Sequence, residues 1–192
     1  AMLNRLEALT DEAFDTAVAR NFQDHAWRLR WRARLADYLR WQIEREGAGW
    51  RWAAGEESLE RGHALSHGRT LRLHGRIDRR DVRGSETALI DYKSRKLVAL
   101  RKQAADPDDV QLAFYALLKA TPIAEAAYLA LDDEKVGLAT LDDPDSRAGA
   151  LQDCVNASFD AMYAGAGLPA NGTDEACAWC EMRGLCRKEW VA

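Results

Sequence analysis

The stretch Leu71–Lys93, LRLHGRIDRRDVRGSETALIDYK, constrains the fold of this chain more than any other. From Thr70 to about Arg79 its residues alternate. Leu71, Leu73, Gly75 and Ile77 fall on one face; Arg72, His74, Arg76 and Asp78 fall on the other. That period of two belongs to a half-buried strand. The segment Arg80 to Glu86 is charged and holds Gly84, which suits a turn. Thr87 to about Lys93 reads as a second strand, with Asp91 and Lys93 on one face and Ala88, Ile90 and Tyr92 on the other. If the two strands pair, the Asp78 and Asp91 carboxylates converge beside the Lys93 ammonium.

Two converging carboxylates supply the oxygen ligands that a hard divalent cation such as Mg²⁺ requires. Such a cation polarises a phosphodiester and lowers the pKa of a bound water. A lysine beside it orients that water or stabilises negative charge as it develops. Asp-x-Lys alone is a common triplet and also fits a solvated strand face.

The wider pattern narrows the choice. Asp91 follows Asp78 by thirteen positions, in the order GRIDR, IDYKS and QLAFY. This order resembles the RecB/AddB branch of the PD-(D/E)xK nuclease superfamily. The resemblance implies that Asp78 and Asp91 are metal ligands, that Lys93 is catalytic, and that Gln111 and Tyr115 act with them from a helix. A spacing of four places Gln111 and Tyr115 on one helix face. Pro107, Asp108 and Asp109 then read as the start of that helix, which runs to about residue 120. The resemblance implies Mg²⁺ or Mn²⁺ as cofactor and DNA as substrate. It also implies an acidic residue on a preceding strand, matched by Glu56 or Glu57; a charged turn fits those residues as well. It further implies a metal-binding His on an early helix, in a Gly-x-x-x-His context. His25 is the candidate, but Asn21 stands where Gly is expected, and a helix-surface His fits it too.

Beyond that core the chain reads as one unit over 1–192, with a helical part over 1–47, a sheet core over 50–141 containing the 107–120 helix, and a helix with a cysteine-bearing tail over 144–192. Residues 10–47 read as helical, with Thr10 and Asp11 as caps. Phe14, Val18, Phe22, Leu29, Leu35, Leu39 and Ile43 recur near helical spacing, with Trp27, Trp31, Tyr38 and Trp41 alongside. Those aromatics fit a core, or a platform for nucleic-acid bases. Residues 58–69 are polar and read as a loop. Residues 124–132 and 136–141 read as neighbouring antiparallel strands, and 144–164 as a helix with Cys154 as a small buried side chain.

The net charge of −4 does not mark a nucleic-acid binder globally, but phosphate contacts can be local. Arg20, Arg28, Arg30, Arg32 and Arg34 cluster early, as a solvated helix face or a DNA contact. Arg95, Lys96, Arg101 and Lys102 follow the Asp-x-Lys strand and suit a DNA backbone equally well. No apolar run approaches a membrane span, and no signal peptide is visible, so a cytoplasmic location is expected. Four cysteines without a secretion signal point the same way. Ala1 ahead of Met2 reads as a tag scar, and the chain as a piece of a longer protein.

Cys177, Cys180 and Cys186 form C-x2-C-x5-C. Their resemblance to the iron–sulfur staple of AddB-type nuclease domains implies a [4Fe–4S] cluster with a fourth, distant cysteine. No cysteine precedes Cys154, so that ligand is expected upstream. Zn²⁺ with a non-Cys fourth ligand, or three free thiols, are the alternatives. The expected fold is α/β: a mixed, largely antiparallel sheet flanked by helices. The expected activity is metal-dependent DNA cleavage in repair or recombination, beside a helicase domain or subunit. The alternatives are a catalytically weak DNA-binding module of the same fold, or a scaffold that docks a helicase.

Overall fold

The computed structural model describes residues 1–21, 23–119, 121–167, 170, 172–182, 185, 186 and 188. Its centre is a five-stranded sheet in the order β1-β2-β3-β4-β5. The strands are β1 (Arg51–Ala64), β2 (Thr70–Arg83), β3 (Glu86–Lys93), β4 (Glu125–Ala130) and β5 (Gly137–Thr140). Only β3 and β4 run parallel; the other neighbours are antiparallel. The helices are α1 (Met2–Arg20), α2 (Gln23–Gly47), α3 (Leu97–Ala105), α4 (Gln111–Lys119), α5 (Pro144–Tyr163) and α6 (Asp174–Ala178). A parallel pair needs a crossover connection, which α3 and α4 provide between β3 and β4. The mixed sheet flanked by helices is the α/β fold expected from the sequence.

The alternation of β2 does what its pattern dictates. Leu73 and Ile77 are buried, whereas Arg72, His74 and Arg76 are exposed. Gly75 has a specific use: a Cβ there would lie 2.8 Å from Leu118 Cδ1 and 3.4 Å from Phe114 Cε1. Glycine therefore lets α4 approach the sheet closely. Leu73, Ile77, Leu89, Leu112, Leu118 and Tyr128 belong to the core that this approach closes.

Helix α2 seals a second, charged cluster against the strands. Arg79 Nε donates to Asp81 Oδ1 at 2.7 Å, and Arg79 Nη2 to Oδ2 at 3.1 Å. Arg45 of α2 donates from Nε to Asp81 Oδ2, and its Nη2 lies 2.9 Å from Glu125 Oε1. Asp81 is 0% exposed. The Trp41 ring lies 5.1 Å from Arg79 Cζ, and the Trp50 ring 4.8 Å from Arg45 Cζ. The guanidinium groups lie over those rings while their edges meet carboxylates, so the buried charges are paired with one another.

Several elements differ from the sequence expectations. Of residues 58–69 only 65–69 form a connection, with a short 3-10 turn at Ser66–Gly68; β1 continues to Ala64, pairing Ser58 with Arg76 and Ala64 with Thr70. As an edge strand it is held by backbone pairing and leaves most side chains in solvent, so its sequence lacks an apolar alternation. Strand β2 runs on to Arg83, and the turn shrinks to Gly84 and Ser85, with Gly84 at φ 59°. Helix α1 begins at Met2, so Thr10 is a buried residue inside it and not a cap. The helical stretch is two helices, parted after Arg20 at Asn21; Phe22 lies outside the described residues. Leu29, Ile43 and Trp27 are exposed, not core, because α2 turns only one stripe to the sheet. Helix α3 was hidden behind the basic cluster, though it buries Leu100 and Ala104. The next helix starts at Gln111, after a turn containing Pro107. Cys154 is exposed, because of α5 only Ala148 is buried.

Removing one partner of a buried ion cluster strands the others without solvent. Asp81→Ala is therefore expected to lower the unfolding free energy by about 3–5 kcal/mol, read from urea denaturation, whereas Arg72→Ala on the exposed face changes it by less than about 0.5 kcal/mol.

Candidate active site

The site forms where the pairing of β2 with β3 stops. Their register runs from Arg83↔Glu86 to Arg79↔Ile90. One residue further, the Tyr92 N–H donates to Asp78 Oδ2 at 2.9 Å. A side chain thus takes the place of a backbone acceptor, which draws the Asp78 carboxylate onto β3. Strand β1 is irregular at the same level: Glu56, between the Gly55–Arg79 and Glu57–Ile77 pairs, takes a positive φ of 52°.

Asp91 sits on the neighbouring strand and is 2% exposed. Its Oδ1 accepts from Gln111 Nε2 at 2.7 Å and from the Tyr115 hydroxyl at 3.3 Å. Gln111 Nε2 also donates to the Tyr115 hydroxyl at 3.0 Å, so the two α4 side chains act as one unit. Asp91 Oδ2 lies 2.6 Å from Lys93 Nζ. Oδ2 is buried, and the Lys93 ammonium is its ion-pair partner there. Burial raises the Asp91 pKa above the usual carboxylate range; the Lys93 ammonium opposes the rise, and the nearby Asp78 charge adds to it. Burial likewise raises the Tyr115 pKa, which keeps its hydroxyl a donor.

The structure brings together Asp78, Asp91, Lys93, Gln111 and Tyr115. It engages the other candidates elsewhere. Glu57 accepts from Arg80 Nε at 2.8 Å and from Arg80 Nη2 at 3.2 Å, and lies 4.0 Å from Lys119 Nζ. The Arg80 hydrogen bond, against some desolvation, lowers the Glu57 pKa. Glu56 is paired with Arg76 at 2.7 Å instead. His25 Nδ1 lies 3.3 Å from Arg28 Nη2 on α2. Among the described residues, no group of three or more His, Cys, Asp or Glu side chains could hold a metal. The Cys177, Cys180 and Cys186 thiols therefore do not converge. Cys177 Sγ instead lies 3.6 Å from the Gly172 carbonyl and 3.7 Å from Lys188 Nζ. Among the described residues these three thiols are not gathered into one metal site.

Sequence reasoning missed the layer that supports the site. The Tyr128 hydroxyl donates to Asp109 Oδ1 at 2.5 Å, and Gln103 Nε2 to Asp109 Oδ2 at 2.5 Å. Asp109 Oδ1 also accepts from the Gln111 backbone at 3.4 Å, at the start of α4. The Tyr128 ring lies 5.4 Å from Lys93 Nζ. Tyr128 thus links the lysine to the helix that carries Gln111. The one visible signal was a tyrosine in an otherwise aliphatic strand, EAAYLA.

A family model described as the PD-(D/E)XK nuclease superfamily matches residues 1–187. Among solved structures, the crystal structure of SSO0001 is similar at 13% identity and a TM-score of 0.47, over 96% of this chain and 80% of that one. No curated protein matches the chain significantly.

The raised pKa of Asp91 has a stability consequence. A carboxyl whose folded pKa exceeds its unfolded value of about 3.9 binds its proton more tightly when folded. Ionised Asp91 therefore subtracts stability as pH rises through the folded pKa, and subtracts nothing below the unfolded one. In metal-free buffer, Asp91→Asn is expected to melt above the parent at neutral pH, with the gain vanishing below about pH 4, as followed by circular dichroism.

Proposed function

The chain belongs to the PD-(D/E)XK nuclease superfamily, and from this footing we propose that it hydrolyses DNA phosphodiesters with Mg²⁺ or Mn²⁺, as a RecB-type exodeoxyribonuclease domain. The observation that carries the proposal is the state of Asp91. A carboxylate 2% exposed, with one oxygen fixed by Gln111 and Tyr115 and the other left to Lys93, is costly to keep. The fold retains it beside a second carboxylate, which structural needs alone do not require.

The donor chemistry fits a hard cation. Asp78 and Asp91 offer oxygen ligands, and Asp91 Oδ2 is the buried oxygen that Gln111 and Tyr115 leave to Lys93. Two carboxylates from the chain leave the rest of such an ion's shell to water and substrate phosphate, as Mg²⁺ prefers. When bound there, the ion would polarise the phosphodiester and make a bound water more acidic.

The chain's own residues have distinct tasks in this proposal. Lys93, 2.6 Å from Asp91 Oδ2, would orient the attacking water and stabilise negative charge developing on the phosphate. Gln111 and Tyr115 fix the Asp91 oxygen that the site does not use, so the carboxylate cannot rotate. Arg80 and Lys119 hold Glu57 on the near edge of the site. Work in DNA repair or recombination, beside a helicase domain or subunit, follows from the resemblance to RecB-type domains. None of the described helices is long and apolar enough to cross a membrane.

A second proposal, a DNA-binding module with weak or no turnover, is favoured by one observation. No third acidic or histidine ligand joins Asp78 and Asp91 among the described residues. Cleavage of labelled DNA separates the two. The parent is expected to cut with Mg²⁺ or Mn²⁺ and not with EDTA. Asp91→Ala and Lys93→Ala are each expected to lower the rate by roughly 100-fold or more, with DNA binding retained. Cutting by Asp91→Ala at the parental rate places the chemistry elsewhere; a parent that binds but never cuts leaves the binding module.

A further inference from the structure

A cleft of about 250 Å³ opens between the N-terminal helices and the ends of β3 and β4. Trp27, Trp31, Arg30 and Arg34 of α2 line it, with Ser94 and Leu131 at the sheet edge. We propose that this cleft is a base-stacking subsite for single-stranded DNA, feeding the strand toward Lys93; the proposal rests on the nuclease reading of the neighbouring site.

Three observations carry it. The first is an aromatic left in solvent: Trp27 is 47% exposed, although Leu35, eight residues further along α2, is fully buried. Large flat side chains exposed beside a cleft mark an interaction surface more often than scattered small apolar ones do. The second is charge. Arg30 Cζ lies 5.4 Å from the Trp27 ring centroid, so guanidinium and indole form one platform. Arg34 is the second cation of the lining, and Asp132 is its acidic member. Arg28 and Arg32, on the same helix, are instead engaged by Asp15 and Asp11 of α1. Aromatic faces interleaved with arginine suit bases that are stacked one at a time, with phosphates between them.

The third is position. Ser94 directly follows Lys93, and the Leu131 N–H donates to the Lys93 carbonyl at 2.9 Å. The cleft therefore begins one residue beyond the lysine, around the ends of the parallel strands. Trp31 is braced from behind by Tyr38, with ring centroids 6.0 Å apart, so its ring is set in place before a ligand arrives. A duplex cannot offer its bases to such a platform, because they are already stacked and paired; a single strand can.

Binding is read by fluorescence anisotropy of labelled oligothymidylate and of a blunt duplex of equal length. EDTA is present, so nothing is cut. Trp27→Ala is expected to weaken single-strand binding roughly 5- to 150-fold, the stacking of one base, and Trp27→Phe to retain most of it. Duplex binding should change less than about twofold. Arg30→Ala or Arg34→Ala should each lower the slope of log affinity against log salt by about 0.7. Trp27 is half in solvent, so these variants should keep the parental melting temperature. The proposal is overturned if the parent does not bind the single strand, if Trp27→Ala binds it within about twofold of the parent, or if it loses strand and duplex equally. Asp91→Ala, assayed alongside for cleavage, keeps the two ideas apart. Where it is inactive and Trp27→Ala binds normally, the subsite alone fails. Where it cuts like the parent, the chemistry lies away from Asp91 and the reading of that site fails, whatever the binding shows.

Discussion

The arrangement of this protein depends on keeping the charge of Asp91 inside the fold. A carboxylate in that position loses its water, and β3 alone offers it a single partner, Lys93. Help comes from three directions: α4 sends Gln111 and Tyr115 to one oxygen, β3 itself sends Lys93 to the other, and β2 sends Asp78 to the Tyr92 amide next door. Each contribution demands a particular placement of an element. Helix α4 must lie close over the sheet, which Gly75 permits. Strands β2 and β3 must part at the level of Asp78.

The opposite side of the sheet meets a different need by the same physics. Arg45, Arg79, Asp81 and Glu125 bring α2, β2 and β4 together around buried charge. Tyr38 and Tyr92 extend that cluster, each accepting from Arg79 Nη1 at 3.3 Å. Tyr92 touches both clusters. Its amide holds Asp78, and its hydroxyl holds Arg79. The charged clamp under α2 and the carboxylate pair under α4 thus share one residue of β3.

Burial separates the carboxylates by task. Asp81 is enclosed by two arginines and is structural. Glu57 is neutralised by Arg80 and Lys119 at the site's edge. Asp91 alone combines deep burial, a raised pKa and a lysine ion-pair partner. Three acidic side chains of similar sequence prominence therefore have unlike chemistry, and only their partners distinguish them.

The sequence by itself determined what period and short spacing can encode. The alternation in β2 and the polar turn at Gly84 set a hairpin, and a hairpin brings Asp78 toward Asp91 and Lys93. A spacing of four set Gln111 above Tyr115 on one turn of helix. Only tertiary structure decided the rest. Strand β1 has no apolar alternation because an edge strand is held by its backbone, so 58–64 was unreadable as strand until β2 was beside it. Trp27 and Trp31 have the same helical spacing whether they face a core or a cleft; packing against α1 and the sheet edge left Trp27 in solvent. Tyr128 and Asp109 meet across nineteen residues, and Glu57 finds Arg80 across twenty-three. Such pairings follow from which elements pack together and how much water they expel, and no local pattern carries that information.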